Sequence, residues 1–220
     1  MGAKVSKQHE YIVPQENHMH IFSDSMYVSD EESGFVLSKK IGKAGDFKIK
    51  DTLGKKLFDV IGTESRFSNE RIILNEDGSL LIIRKKPIGF FGKTYNVFSP
   101  HNSCEPLVTI HSHFKIAMTR LSVKVHDMNT NIKFKIVLQG DFLNRSAHIY
   151  KGNPNDNGEP IGILKKSLSL KSIISKEYTI VISAGIDQLL MIALALIFDE
   201  IHTETDNNKK SKKTRFTLEI

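Results

Sequence analysis

Ten consecutive residues constrain this chain more than any others. Leu189-Leu190-Met191-Ile192-Ala193-Leu194-Ala195-Leu196-Ile197-Phe198 is apolar at every position and rich in helix formers. A helix with no polar face has to be enclosed, by lipid or by protein. Length separates the two, because a spanning helix needs about 20 apolar residues. Extending the run backward brings in Gln188 and Asp187, and an aspartate inside a spanning helix costs about 3 kcal/mol; Asp199 and Glu200 close the other side. The run therefore reads as a core helix inside a protein shell. Asp187 caps its first turn, and Leu189, Leu190, Ile192, Ala193, Leu196 and Ile197 are its buried residues.

The shell has to come from the preceding sequence, which reads as strands. Phe47-Lys48-Ile49-Lys50, Leu121-Ser122-Val123-Lys124-Val125 and Ile132-Lys133-Phe134-Lys135-Ile136 alternate apolar with polar, the period of a strand with one buried face. Turn residues separate such runs: Asp51-Thr52-Leu53-Gly54, Asn75-Glu76-Asp77-Gly78, Asp127-Met128-Asn129-Thr130-Asn131 and the longer Gly152 to Gly158. Roughly ten runs at a spacing of about 8 to 12 residues indicate an antiparallel meander closed into a sandwich or barrel. Tyr178-Thr179-Ile180-Val181-Ile182 is the last strand before the chain turns through Ser183-Ala184-Gly185-Ile186 into the helix. The fold class is mainly β, an antiparallel barrel around a hydrophobic C-terminal helix.

A chain of 220 residues with 40% hydrophobic side chains buries enough for one domain. Residues 1–20 are polar and read as a tail, 21–202 as the barrel domain, and 203–220 as a basic polar tail. A single cysteine, Cys104, allows no internal disulfide, and the polar start has no signal-peptide character, which together place the chain in the cytoplasm, with the nucleus as the alternative. The net charge of +6 and pI near 9.2 favour anionic partners of several kinds.

The order of these segments resembles the LURP-one-related family, whose fold is the tubby-like barrel shared with tubby proteins and phospholipid scramblases. The resemblance rests on Phe47-Lys48-Ile49-Lys50-Asp51 with Gly54 and Leu57-Phe58-Asp59-Val60. It continues through Gly140-Asp141-Phe142-Leu143-Asn144-Arg145-Ser146-Ala147-His148-Ile149-Tyr150, and ends with Tyr178 to Ile182, Gly185-Ile186-Asp187 and the apolar run to Glu200. It implies a tubby-like barrel and brings no established activity with it. The relatives suggest phosphoinositide binding, membrane-tethered transcriptional regulation or lipid movement, and no phosphoinositide residue of tubby proteins can be placed here by motif.

Several local patterns carry candidate chemistry. Met1-Gly2-Ala3-Lys4-Val5-Ser6 fits N-myristoylation at Gly2. One such chain binds membranes only marginally, with a constant of about 10⁴ M⁻¹, so stable attachment requires a second signal. Lys209, Lys210, Lys212, Lys213 and Arg215 can supply one by contact with an anionic leaflet. The same cluster also suits a solvated tail or a nuclear-import or nucleic-acid patch. Arg84-Lys85-Lys86 is the densest basic group in the body and the first candidate for an anionic headgroup; Lys39-Lys40, Lys55-Lys56 and Lys165-Lys166 read as ordinary surface charge.

Two motifs fail on inspection. Pro87 to Thr94 ends like a phosphate-binding loop, but its first glycine is a proline and Tyr95-Asn96-Val97-Phe98 continues as a strand. Asn153 to Gly158 imitates a calcium loop without the first aspartate or the final glutamate, so a hairpin loop suffices. His111 and His113 share a strand face with no third ligand near them in sequence, and no nucleophile elbow or dinucleotide fingerprint is present. The sequence thus points to a monomeric, non-enzymatic module without metal or cofactor that binds anionic phospholipid or phosphoinositide headgroups at the cytoplasmic face of the plasma membrane. A protein partner is open and nucleic acid is disfavoured; a nuclear regulator and a scramblase-like lipid handler are the alternatives.

Overall fold

The alternating segments fold as strands with the expected faces, except that Ile132 lies before the strand its alternation assigns it to and is 59% exposed. In the computed structural model, which describes residues 12–16, 18–22, 25–40, 45–64, 69–86, 93–115, 118–127, 130–141, 146–167 and 177–217, Phe47 and Ile49 are buried while Lys48 is exposed. The strands are β1 (Ser33–Lys39), β2 (Phe47–Asp51), β3 (Lys56–Glu64), β4 (Asn69–Leu74), β5 (Ser79–Lys86) and β6 (Lys93–Phe98). After these come β7 (Val108–Lys115), β8 (Met118–His126), β9 (Lys133–Asp141), β10 (Ser146–Lys151), β11 (Glu159–Lys166) and β12 (Glu177–Ile182). Each strand pairs antiparallel with the next, and β1 pairs with β12, so the described residues close a twelve-stranded barrel, somewhat more strands than the roughly ten runs indicate. Closure removes every exposed sheet edge.

The turn residues act as their chemistry requires. The Asp51 carboxylate accepts hydrogen bonds from the Leu53 and Lys55 amides, and Gly54 takes the left-handed φ of +88° that the turn needs. Asn153 to Gly158 forms a short 3₁₀ turn between β10 and β11, as a hairpin loop would. Because the meander is antiparallel throughout, its turns alternate between two barrel ends. The basal end carries the turns after β2, β4, β6, β8, β10 and β12; the exit end carries the C-terminal ends of β1, β5 and β11 and the start of β6.

The helix α1 (Gln188–Thr217) enters at the basal end. Asp187 caps it: one carboxylate oxygen accepts from the Leu190 amide at 3.0 Å, the other from the Phe22 amide at 3.1 Å. Burial pushes this carboxyl up to about 6 against the pull of those amides. Every residue from Leu189 to Phe198 is buried, including Leu189, Leu190, Ile192, Ala193, Leu196 and Ile197. Small wall residues let the helix approach closely. A Cβ built on Gly140 would lie 2.7 Å from Phe198 Cζ, and one on Gly162 would lie 2.9 Å from Met191 Cε. Among the described residues no helix is long and apolar enough to cross a membrane.

The apolar run stops at Asp199 but the helix does not. Residues 203–217 contain no glycine or proline to end it, and their backbone stays helical through Thr217. Thirty residues span about 45 Å, whereas nine-residue strands reach only about 30 Å, so the last turns of α1 lie beyond the barrel wall. At the basal end the N-terminal segment is bound in place. Val13 donates to the Pro160 carbonyl and Met19 to that of Gly185, and Met19, Phe22 and Tyr27 join the core.

Candidate functional site

Two groups of cations matter, and they differ in whether the protein neutralises them. At the exit end, inward-facing side chains of β1, β4, β5 and β6 surround the acidic turn of α1. Lys39 Nζ lies 3.1 Å from Asp199 Oδ2, Arg71 Nη2 3.5 Å from Glu200 Oε2, and Lys85 Nζ 3.4 Å from Glu200 Oε1. Arg71 also donates to the Leu196 carbonyl, and the Tyr95 hydroxyl donates to Glu200 at 3.5 Å. Burial raises the Tyr95 hydroxyl pKa, and the Glu200 charge raises it further. Lys93 is driven down to about 8 by burial and by Lys85, with Glu200 opposing. Asp199 Oδ1 has no hydrogen-bond partner among the described residues. These cations offset helix carboxylates that the barrel encloses.

Arg84-Lys85-Lys86 is divided by the strand's pleat. Lys85 turns inward to Glu200, while Arg84 faces out, ion-paired to Glu70, stacked 4.9 Å over Phe98 and donating to the Ser103 carbonyl. Lys86 is exposed at the exit end. Consecutive strand residues point to opposite faces, so this run does not gather into one patch. Lys40 and Lys56 both pair with Asp59; burial pushes that carboxyl up, and their hydrogen bonds more than offset it. Lys209, Lys210, Lys212, Lys213 and Arg215 are on the helical backbone of α1, with their side chains outside the described residues, as Gly2 is.

The second group lies on the outside of the barrel near its basal end, where β8 and β9 form a cleft of about 450 Å³. Register creates it: Lys124 pairs with Lys135, Val125 with Phe134 and His126 with Lys133. Leu107 gives it an exposed apolar component, while Val125 and Phe134 line it from the inward side of the pleat. Lys124, Lys133 and Lys135 are exposed and make no ion pair among the described residues. Lys151 stands 5.7 Å over the Phe134 ring and donates to Gln15 Oε1 at 2.7 Å. Like charges placed directly opposite on paired strands repel, and a bound anion would relieve that repulsion. The cleft can thus take a multivalent anion with an apolar neighbour. Sequence reading passes it over because its lysines are separated by nine and eleven positions; the signal was their place as the polar members of two alternating strands.

Among the described residues no three His, Cys, Asp or Glu side chains converge as a metal site, and His111 and His113 are exposed on β7. Burial and Lys165 hold the His148 imidazole below its usual pKa.

Comparison with known proteins places this geometry. The crystal structure of an Arabidopsis thaliana protein is similar, with a TM-score of 0.58 at 18% identity over 81% of this chain and 96% of that one, a likeness of fold. Comparison with curated proteins returns no match. The model of the LURP-one-related family matches residues 33–199, from the first residue of β1 to the acidic turn of α1. With the family's pattern covering every strand and the enclosed part of the helix, the chain belongs to the LURP-one-related family.

Proposed function

We propose that the protein is a non-enzymatic tethering module that binds anionic phospholipid headgroups, phosphoinositides included, in the β8–β9 cleft. One observation carries the reading: Lys124, Lys133 and Lys135 line one cleft without an ion-pair partner among the described residues, while Lys39, Arg71, Arg84 and Lys85 are engaged by Asp199, Glu200 and Glu70. Three lysines contribute about 3 kcal/mol near an anionic leaflet. Added to one acyl chain, that lifts the binding constant from about 10⁴ to about 10⁶ M⁻¹. Gly2 suits the partnership. Val13 is tied to Pro160 at the basal end, and the eleven steps from Gly2 to Val13 reach at most about 40 Å.

Co-sedimentation tests this. With phosphatidylserine or phosphoinositide vesicles, changing Lys124, Lys133 and Lys135 together to Gln lowers affinity about 100-fold. Substituting Arg84 and Lys86 instead tests a headgroup site at the exit end. Unchanged binding in the triple-lysine variant sinks the cleft; loss in the Arg84 and Lys86 variant moves the site.

A nuclear role is the second reading. The basic turns of α1 leave the barrel opposite the cleft, so a membrane on the cleft leaves Lys209 to Arg215 for another receptor. Gly2→Ala should then shift the protein from membrane to nucleus, and a variant that stays on the membrane would exclude it. A scramblase-like role lacks its element, since the apolar part of α1 is enclosed by the barrel.

A further inference from the structure

Among the described residues the exposed large apolar side chains are Met26, Leu53, Ile61, Leu107, Met118 and Ile132, and two of them stand beside the cleft. Leu107 (44% exposed) ends the turn between β6 and β7, and Ile132 (59%) ends the turn between β8 and β9. These basal turns flank the lysines of the cleft, and Leu107 lines it. The described residues of both turns are hydrogen-bonded. Asn102 accepts hydrogen bonds from the Cys104 and Glu105 amides. Asp127 is buried and bonds Thr130, its amide donates to the Ile132 carbonyl, and Asn131 adopts a left-handed φ of +57°. Glu105 is the exposed acid of the two turns.

Across the barrel the basal end has the opposite character. Asp30, Glu31 and Glu32 precede β1, and Glu76 and Asp77 form the turn after β4; all five are exposed. In the strand order the β8–β9 pair lies opposite the β2–β3 pair, whose turn presents Leu53 at 94% exposure. On that side the five acids outnumber Lys55 and Lys56 of the Leu53 turn, whereas the cleft side presents Lys124, Lys133 and Lys135 beside Leu107 and Ile132, with Asp156 and Glu159 in the neighbouring β10–β11 turn. A bilayer that attracts the cleft side repels the acidic one.

We infer that the barrel docks on anionic bilayers at a tilt, with Leu107 and Ile132 entering the headgroup–acyl boundary, Lys124, Lys133 and Lys135 on the lipid phosphates, and Leu53 held clear of the surface. The inference rests on the headgroup reading above and adds an orientation and an insertion depth to it. Charge complementarity selects the occupant, because apolar tips beside unpaired lysines match a surface with anionic heads over hydrocarbon. Hydrogen bonds already made within the described turn residues lower the ordering cost of insertion.

The chain supplies its own probes, having one cysteine, Cys104, exposed in the Leu107 turn, and no tryptophan. Full-length protein carrying an environment-sensitive fluorophore on Cys104 is mixed with neutral vesicles and with vesicles containing phosphatidylserine and phosphoinositide. Ile132→Trp and Leu53→Trp are each read as the sole tryptophan against brominated lipid. The expected result on anionic vesicles is a blue shift at Cys104 and quenching of the tryptophan at 132 but not at 53. Ile132→Asp should weaken co-sedimentation at least tenfold with its thermal midpoint unchanged. Protein that sediments with anionic vesicles while both probes stay unshifted overturns insertion and leaves headgroup binding standing. Equal quenching at 53 and 132 overturns the tilt. Failure to sediment at all overturns the headgroup reading and this inference together, and a protein partner then becomes the occupant to test.

Discussion

Gly140 tests whether the enclosed helix is a fitted part or merely an apolar filling. Its backbone is ordinary strand, so alanine brings no φ strain, and removing a glycine from a strand interior would by itself stabilise by about 0.5–1 kcal/mol. Against that, the new methyl lands 2.7 Å from Phe198 Cζ and closer still to Cε2, about 1 Å inside ordinary van der Waals contact. The ring has little room to retreat, being fully buried with the His202 ring 4.1 Å away. The wall is blocked too, since Ala147 Cβ is 3.1 Å from the same methyl. Overpacking of this kind costs about 1–3 kcal/mol; with ring and wall both blocked the upper end applies, and less the glycine gain Gly140→Ala should destabilise by about 2 kcal/mol net. With a urea slope of about 2 kcal/mol per molar, the midpoint falls by about 1 M. Phe198→Leu makes room at the cost of a small cavity, and the double variant should regain at least about 1 kcal/mol relative to additivity. A Gly140→Ala protein within about 0.5 kcal/mol of the parent, or an additive double variant, would refute close packing between β9 and α1.

Three further outcomes follow from titratable groups. Asp187 has its folded pKa raised to about 6 from 3.8, so between those values the native state holds a proton that the unfolded chain has lost. Stability therefore falls as pH rises through this window, by about 3 kcal/mol in total; comparing urea midpoints at pH 4 and 7 with those of Asp187→Asn checks it, and an unaltered pH slope in the variant would exclude Asp187 as the cause. Lys93, held down to about 8, should be acetylated ahead of the other lysines at pH 8 by a limiting reagent, as read by peptide mass spectrometry. Glu200→Gln should lower that pKa further, since the Glu200 charge raises it, and should cost about 3 kcal/mol by leaving Arg71 and Lys85 without their carboxylate; a rise in Lys93 pKa would contradict the arrangement.

Much of the fold is legible in the sequence because two periods dominate it. Alternation at Phe47–Lys50 and Leu121–Val125 leaves one buried face, and the unbroken run from Leu189 leaves no polar face, so a shell around a helix is the arrangement that accommodates both. The site is less legible because it depends on register. Lys124 and Lys135 oppose one another only when β8 and β9 pair as they do, and a shift of one residue would send them inward. Contiguity misleads for the same reason, since Arg84, Lys85 and Lys86 look dense in sequence and divide between Glu70, Glu200 and solvent. The helix end was hidden by composition: polar residues after Asp199 mark where burial stops, not where hydrogen bonding along the backbone stops.

The central helix follows every strand of the barrel in chain order, and this dictates when the molecule can fold. Strands β1 to β12 leave the ribosome before the residues that fill their interior, and the pair that closes the barrel, β1 with β12, joins the first strand made to the last. At about 5–20 residues per second, the stretch from Ser33 to Ile201 takes roughly 10–30 s to synthesise. Throughout that interval Phe47, Ile49, Tyr95, Ile110 and Leu121 have no Leu190, Met191 or Leu194 to cover them. The nascent chain is therefore a client for holding chaperones until its last hydrophobic segment emerges, and a chain stopped at Ile182 is an aggregation hazard, not a smaller version of the same protein.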